Sequence, residues 1–404
     1  MRKHRADLVI LILTVILMAI GLVVIYAIGP RVAQFENSQN DSHFGDFYFF
    51  GHHAMTVGIS VAALIIGWLV KHEFLAKFAK KMLIASIIMC VIVWILGKAG
   101  ATSIVTCDEG ACRAFRIPGI GVGFQPAELF KIAVLFYVPW LIKDRKERGL
   151  LDKSEFMIPL AALMGAIAVF VGVLLKDFGS TVVMIFMIFA MMLAGGVSWK
   201  VIGYFLAGIA VAFLVLIVTQ PHRVQRIMGF TEDGEDGWHL ENSLIGMGTG
   251  GMFGVGLGNS IQSTGYLPEA LSDSIFAIIG ESWGLIGALC VLVILAALMI
   301  RILGVGKKTA DKEQCLFVIG VFAWLGAHVI INVGGMTGII PMKGITLPFL
   351  SYGGTSMLFI SYAVGVVLQI SGWTKREVIK EEDENTSSRR GQRGPRYAGS
   401  RRRA

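Results

Sequence analysis

The chain has 404 residues, of which 55% are hydrophobic and only 16% are charged, with a formal net charge of +8. Soluble globular domains carry roughly 25% charged residues, and the mean hydropathy of +0.70 is far above what such a domain would show. The composition therefore excludes a soluble protein and predicts a polytopic membrane protein.

Ten apolar segments are long enough to cross a bilayer as helices, because about twenty apolar residues span its hydrocarbon core. They lie at 7–28, 49–70, 80–97, 124–142, 156–175, 178–197, 200–219, 274–303, 315–335 and 348–371. The first follows the basic stretch MRKHR without a small-residue cleavage site, which predicts a retained helix rather than a signal peptide. The predicted fold is an all-α polytopic membrane protein with about ten transmembrane helices.

The loops between these segments alternate in charge. Basic loops lie at 71–81, 143–153 and 304–312, and acidic loops lie at 36–47 and 231–242. Both termini are also basic. The positive-inside rule then places both termini in the cytoplasm, in agreement with an even number of helices.

The chain divides into a membrane domain, 1–373, and a charged tail, 374–404. The tail lacks apolar residues for a core and ends in RRGQRGPRYAGSRRRA, so we expect it to be disordered. A polybasic cytoplasmic segment attracts anionic lipid headgroups. Membrane lipids are therefore expected partners, and nucleic acid is not.

The largest loop, about 220–273, is outside the membrane between the seventh and eighth predicted helices. It contains the glycine-rich stretch LIGMGTGGMFGVGLGNS, in which glycines are too dense for a stable helix, so irregular backbone is predicted. Arg223 and Arg226 precede this stretch. They could clamp a phosphate, and anchoring to lipid headgroups is the alternative.

Three carboxylates begin the eighth predicted helix. Glu269 and Asp273 are spaced i, i+4 and share a face if the helix begins at Pro268, and Glu281 lies two turns beyond, about 12 Å into the span. A carboxylate at that depth must face protein, water or a cation, because charge is costly in lipid.

Further ionisable residues also map to the outer third of the membrane. Glu128 and Lys131 are spaced i, i+3 near the outer end of the fourth helix, where a structural ion pair is the alternative to a substrate site. Asp177 lies between two helices and Lys343 lies in another outer loop. A secondary transporter would concentrate such groups near the midplane. Acids beside bases at one face instead predict an enzyme acting on an amphiphile whose polar head projects outward.

Cys107 and Cys112 lie in an outer loop, and both a short disulfide and two free thiols remain open from the sequence.

Three segments resemble the SEDS family (shape, elongation, division and sporulation proteins). They are FQPAELFK at 124–131, GLGNSIQSTGYLPEALSDSIFAIIGE at 256–281 and PMKGITLPFLSYGGTS at 341–356. The resemblance covers 1–373 and is closer to the division branch of the family than to the elongation branch. Its structural motif residues are Gln125, Pro126, Pro268, Pro348, Ser351, Tyr352, Gly353 and Gly354.

The resemblance implies a peptidoglycan glycosyltransferase in the bacterial cytoplasmic membrane, at the division site. Its substrate would be lipid II, joined through β-1,4 links at the outer leaflet. The family's essential aspartate matches Asp273, which would deprotonate the acceptor 4-hydroxyl in one inverting displacement of undecaprenyl pyrophosphate. A carboxylate at the edge of a low-dielectric region can have the raised pKa that suits a base.

The pyrophosphate leaving group needs positive charge, for which Lys131, Arg223, Arg226 and Lys343 are candidates. A divalent cation, Mg²⁺ or Mn²⁺, held by carboxylates is a further way to supply it. The remaining predicted substrate-binding residues are Glu128, Asp177, Glu269 and Glu281.

The family resemblance also implies a class B penicillin-binding protein as transpeptidase partner, together with other division proteins. One departure from the family pattern is Leu271-Ser272-Asp273-Ser274 in place of His-Thr-Asp-Phe, which removes a neighbouring histidine. Two other functions remain open from the sequence, a lipid II flippase and a non-catalytic division scaffold.

Overall fold

The computed structural model describes residues 6–39, 43–108, 111–116, 123–219, 235–341 and 344–391. Over these ranges the chain is a predominantly helical polytopic membrane protein, which confirms the predicted fold class.

The helices are, in chain order, α1 Leu8–Gln39, α2 Tyr48–Leu69, α3 His72–Ala76, α4 Ala79–Lys98, α5 Pro126–Glu147, α6 Ser154–Ala166, α7 Phe178–Gly195, α8 Trp199–Thr219, α9 Glu235–Gly250, α10 Ile275–Lys308, α11 Lys312–Met336 and α12 Gly354–Gly391. Helix α6 continues as a π-helix over Ile167–Leu174.

Each of the ten predicted spans corresponds to a helix. Among the described residues, eight helices are long and apolar enough to cross a membrane: α1, α2, α4, α6 with its π-helical continuation, α7, α10, α11 and α12. Helix α5 contains Glu128, Lys131 and Lys143, which lower its hydropathy, and the apolar part of α8 with described side chains ends at Val211. At one end of the bundle the Asp7 backbone N–H donates to Ser371 Oγ at 3.0 Å, so α1 begins where the apolar part of α12 ends.

A small antiparallel sheet lies between α4 and α5, which the all-α prediction did not include. It consists of β1 Val105–Asp108, β2 Ala111–Arg116 and β3 Gly123–Phe124, in the order β1-β2-β3. Cys107 pairs with Cys112 across β1 and β2, and the two form a disulfide. The question left open by the sequence is thereby answered in favour of the disulfide.

The prediction of irregular backbone across the whole glycine-rich stretch is wrong for its first half, which forms the end of α9. A methyl group on Gly250 would overlap the carbonyl oxygen of Gly280, so glycine there allows α9 to approach α10 closely. Helix packing thus overrides the low helix propensity of glycine. The chain after Gly250 is irregular, as predicted, and Gly254 adopts a left-handed φ of +84°.

The predicted helix start at Pro268 is also wrong, because α10 begins at Ile275. Residues 268–274 form turns instead, in which the Ser274 hydroxyl donates to the Pro268 carbonyl at 2.8 Å and Glu269 has a φ of +49°. Glu269 and Asp273 therefore do not share a helix face, and Glu281 lies in the second turn of α10, about 9 Å from its first residue.

Helix α10 is interrupted at Gly284, where φ is +69° and ψ is −170°. The interruption exposes backbone groups, and the glycine-rich segment satisfies them. Val255 N–H donates to the Glu281 carbonyl at 3.0 Å, and Leu285 N–H donates to the Gly251 carbonyl at 2.9 Å. Such pairing is what allows irregular backbone at membrane depth.

The last helix begins at Gly354 rather than at 348. Residues 344–353, named here the re-entrant segment, enter the bundle so deeply that a methyl on Gly21 of α1 would lie 2.9 Å from Leu350 Cα. Pro348, Ser351, Tyr352 and Gly353 consequently precede the helix, and Ser351 Oγ accepts a 2.7 Å hydrogen bond from Leu347 N–H.

The first part of the tail also differs from the expected disorder, because α12 continues to Gly391. Residues 374–391 are rich in Lys, Arg and Glu, which are good helix formers. Residues 392–404 lie outside the described part of the chain.

Candidate functional site

A polar cavity of about 80 Å³ lies at the outer ends of α5 and α7, against α11 and the re-entrant segment. A buried water needs roughly 10–15 Å³ of such space, so the cavity holds several waters or a small polar group. Its charged and polar lining comprises Arg113, Gln125, Glu128, Lys131, Asp177, Ser180, His328, Thr346 and Ser356.

Glu128 and Lys131 form an ion pair at the inner wall of this cavity. Lys131 Nζ lies 2.7 Å from Glu128 Oε1, and both side chains are almost completely buried. Lys131 Nζ also lies 5.5 Å from the centre of the Trp324 ring. Glu128 Oε2 has no hydrogen-bond partner within the described residues, so this carboxylate retains acceptor capacity beside the cavity.

Gln125 and Asp177 connect the starts of two helices at the cavity mouth. Gln125 precedes Pro126, the first residue of α5, and its Nε2 donates to Asp177 Oδ2 at 2.8 Å. Asp177 caps α7 by accepting the Ser180 N–H at 2.9 Å. The preceding residue, Lys176, has a φ of +55° and follows the π-helix. Strained backbone and π-helical turns often occur at functional sites.

Asp273 lies in the turns before α10, against the re-entrant segment that lines the cavity. A methyl built on Gly344 would lie 2.8 Å from Asp273 Oδ2. Asn332 Nδ2 donates to the carbonyls of both Asp273 and Ile345 at 2.7 Å, and Tyr352 N–H donates to Leu271 at 2.7 Å. These bonds fix the Asp273 backbone to the cavity wall.

The environment of Asp273 raises the pKa of its carboxyl to about 7. The main cause is desolvation by the surrounding protein, although part of the residue is accessible to solvent. The charge of Glu269 raises the pKa further, Arg113 lowers it, and Asp177 adds a smaller increase. The carboxyl is therefore divided almost equally between its two protonation states near neutral pH, which suits proton transfer.

The structure does not bring the other predicted carboxylates into the cavity. Glu269 is exposed and accepts the Ser272 hydroxyl at 2.6 Å. Glu281 is buried and accepts hydrogen bonds from Ser260 Oγ and from the Ile261 N–H, so it holds the turn after the glycine-rich segment. Its role in this geometry is to order a loop.

Three predicted substrate-binding cations, Arg223, Arg226 and Lys343, lie outside the described residues. Of the predicted cations in the described part, Lys131 lines the cavity.

Sequence reasoning missed Arg113, Asn332 and His328. His328 accepts from Trp324 Nε1 at 3.0 Å, and its Nδ1 lies 3.0 Å from the Thr346 carbonyl. Trp324, His328 and Asn332 are spaced i, i+4 and i+8 on α11, so a polar stripe within an apolar span was a usable signal. Arg113 gave no local signal, because only the fold of the sheet brings it to the cavity.

The described residues contain no group of three or more His, Cys, Asp or Glu side chains that could hold a metal ion. The carboxylates near the cavity instead have protein partners: Glu128 is paired with Lys131, and Asp177 is bonded to Gln125. The divalent cation considered from the sequence stays a prediction.

Comparison with known proteins gives consistent results. The family profile described as a cell cycle protein family, FtsW/RodA/SpoVE, matches residues 7–376. A probable peptidoglycan glycosyltransferase FtsW from Geobacter metallireducens is 30% identical over 378 residues, covering 91% of this chain and 95% of that protein. The protein of the same name from Escherichia coli O6:H1 is 32% identical over 385 residues, covering 92% and 87%.

Two solved structures share the fold. One, from work on how a peptidoglycan synthase complex coordinates polymerization and crosslinking, has a TM-score of 0.69 at 20% identity and covers 91% of this chain and 98% of that chain. The other, the rod shape determining protein RodA of Thermus thermophilus, has a TM-score of 0.63 at 20% identity and covers 91% and 97%.

Proposed function

This chain belongs to the FtsW/RodA/SpoVE family of cell cycle proteins, and we propose that it polymerises lipid II with Asp273 as the general base. It is a peptidoglycan glycosyltransferase, the activity named for relatives that match most of its length. The assignment of the base rests on the carboxyl of Asp273, which has a pKa of about 7 and lies beside the polar cavity.

The reaction is one displacement at the anomeric carbon of the donor sugar. Asp273 takes the proton of the acceptor 4-hydroxyl while that oxygen forms the new bond, and the bond to the pyrophosphate breaks. An α-linked donor gives a β-linked product, because the incoming oxygen approaches from the opposite face. The leaving group departs as pyrophosphate and needs no strong general acid.

The neighbours of Asp273 support this role by fixing its position. Asn332 bonds its carbonyl, and Tyr352 bonds the carbonyl of Leu271 two residues earlier. A catalytic base held in this way loses little entropy when the acceptor binds. The unpartnered Oε2 of Glu128 supplies an acceptor for part of the polar head of the substrate at the cavity.

The location and partners follow from the same family. The apolar helices support a multi-pass protein of the bacterial cytoplasmic membrane. Action at the division site is our inference from the family resemblance. The structurally similar peptidoglycan synthase complex couples polymerization to crosslinking. A class B penicillin-binding protein would supply the crosslinking here, and other division proteins would join the assembly.

The experiment is polymerisation of lipid II by the purified protein together with a penicillin-binding partner whose transpeptidase site is inactivated. Wild type is compared with Asp273→Asn, which preserves side-chain shape and removes the base. Glycan strands from wild type and none from the variant are expected. Equal product from both would remove Asp273 as the base.

The two alternative functions predict different results in the same preparation. A flippase would move lipid II across sealed vesicles without making polymer. A scaffold would make no polymer and would support cell division with Asp273→Asn in place. Either result would overturn the polymerase assignment.

A further inference from the structure

Arg113 lines the cavity from β2, whereas the Glu128–Lys131 pair lines it from α5. Its Nη2 donates one long hydrogen bond, 3.4 Å, to the carbonyl of Lys176. Its charge also acts on the carboxyl of Asp273. Arg113 shares the cavity lining with Gly344, which lies against the Asp273 carboxylate. The protein groups described around the guanidinium leave most of its N–H donors for another acceptor.

The other charges of the lining are already paired. Lys131 is held by Glu128 at 2.7 Å, and Asp177 accepts from Gln125 and from the Ser180 N–H. Within the described residues, Arg113 is the cation of the lining that has no carboxylate within 4.0 Å. An anion entering the cavity would therefore find its strongest uncompensated positive charge at Arg113.

The position of Arg113 is fixed through its neighbour, Cys112. The Cys107–Cys112 disulfide joins β2 to β1, and Cys112 Sγ packs so closely on Gly97 of α4 that a methyl there would overlap it. On its other edge β2 pairs with β3, with Phe115 opposite Phe124. The strand is thereby attached both to α4 and to the segment that leads into α5.

We propose that Arg113 binds the diphosphate of the lipid-linked substrate, and that the Cys107–Cys112 disulfide holds its strand in position to do so. The assignment rests on the proposed polymerase function, since it names the residue that receives the leaving group. A guanidinium suits this task because its planar N–H donors can engage two phosphate oxygens at once. Neutralising the leaving group lowers the barrier to breaking its bond.

The test measures binding rather than polymerisation. Purified protein in nanodiscs is titrated with geranylgeranyl diphosphate, and geranylgeraniol serves as the uncharged control. Arg113→Ala should weaken diphosphate binding by about ten- to a hundredfold, as expected for loss of charge-assisted hydrogen bonds. The diphosphate affinity of Arg113→Lys should lie between those of wild type and Arg113→Ala. Neither variant should change the affinity for geranylgeraniol.

Arg116→Ala is the matched control, because Arg116 is an exposed arginine of the same strand three positions away, on the opposite face. It should bind the diphosphate like wild type. Equal affinity of Arg113→Ala and wild type would overturn the phosphate-binding role. Equal weakening by Arg113→Ala and Arg116→Ala would also overturn it, since a general surface charge effect would then explain both.

The disulfide is tested with the double variant Cys107→Ser, Cys112→Ser, checked by size-exclusion chromatography for intact folding. Several-fold weaker diphosphate binding is expected, with alcohol binding unchanged. Wild-type affinity would overturn the positioning role while leaving Arg113 in place. Wild-type protein that binds the diphosphate through Arg113 but makes no glycan would instead refute the proposed function, so the two failures are distinguishable.

Discussion

Lowering the pH from 8 to 6 should reduce the rate of polymerisation about tenfold, because the base must be deprotonated and Asp273 has a pKa of about 7. The deprotonated fraction falls from about nine-tenths at pH 8 to about one-tenth at pH 6. An ordinary aspartate, with a pKa near ~3.9, would remain ionised across this whole range. The rate would then be flat between these pH values.

Glu269→Gln shows whether neighbouring charge contributes to this pKa. The negative charge of Glu269 raises the pKa of Asp273, so its removal should lower that pKa and move the acid limb of the profile to lower pH. At pH 6 the variant should then retain a larger share of its maximal rate than wild type. Asp152→Asn, an exposed carboxylate in the loop between α5 and α6, is the control and should leave the limb unchanged.

The assay is the initial rate of glycan synthesis at low lipid II concentration, so that it reports kcat/KM of the free enzyme, at constant ionic strength. Diphosphate binding measured at the same pH values separates proton transfer from substrate affinity. A flat profile between pH 6 and 8 would refute the raised pKa. An acid limb that moves to higher pH in Glu269→Gln would refute the electrostatic argument.

Two further predictions concern the walls of the cavity. Glu128→Gln or Lys131→Met alone should lower the free energy of unfolding by about 3–5 kcal/mol, because each leaves a buried charge unpaired, whereas the double variant should cost much less. Thermal unfolding in nanodiscs measures this, and single variants as stable as the double would contradict it. Gly344→Ala should lower kcat about tenfold, because the added methyl would lie 2.8 Å from the carboxylate of the candidate base and displace it. Gly326→Ala, whose methyl meets nothing within 4 Å, is the control and should keep the wild-type kcat. Equal kcat values for Gly344→Ala and Gly326→Ala would contradict the position assigned to the Asp273 carboxylate.

The helices could be predicted because the signal for a membrane span is local. Length and hydropathy of a single segment decide whether it can cross a bilayer, and each of the ten apolar segments is helical in the structure. The same reasoning located Glu128, Lys131, Asp177 and Asp273 near one face of the membrane, since the position of a residue along its span sets its depth.

The irregular parts could not be predicted, because their backbone is satisfied by partners far along the chain. Val255 and Gly251 bond the interrupted backbone of α10 at Glu281 and Leu285, about thirty residues away in sequence. Gly250 lies in a helix despite its low helix propensity because another helix packs closely against it. Propensity rules consider neighbours in sequence and do not include such contacts.

The sequence established that this is a polytopic membrane protein with ionisable residues at the outer ends of its helices, because hydropathy and the cost of charge in lipid can be judged from position along each span. The tertiary structure decided which of those residues meet. It directed Glu281 to a loop, brought Arg113 to the cavity from a sheet, and attached Asp273 through Asn332. The pKa of Asp273 depends on this assembly, because desolvation and neighbouring charges act through space between segments that are distant in sequence.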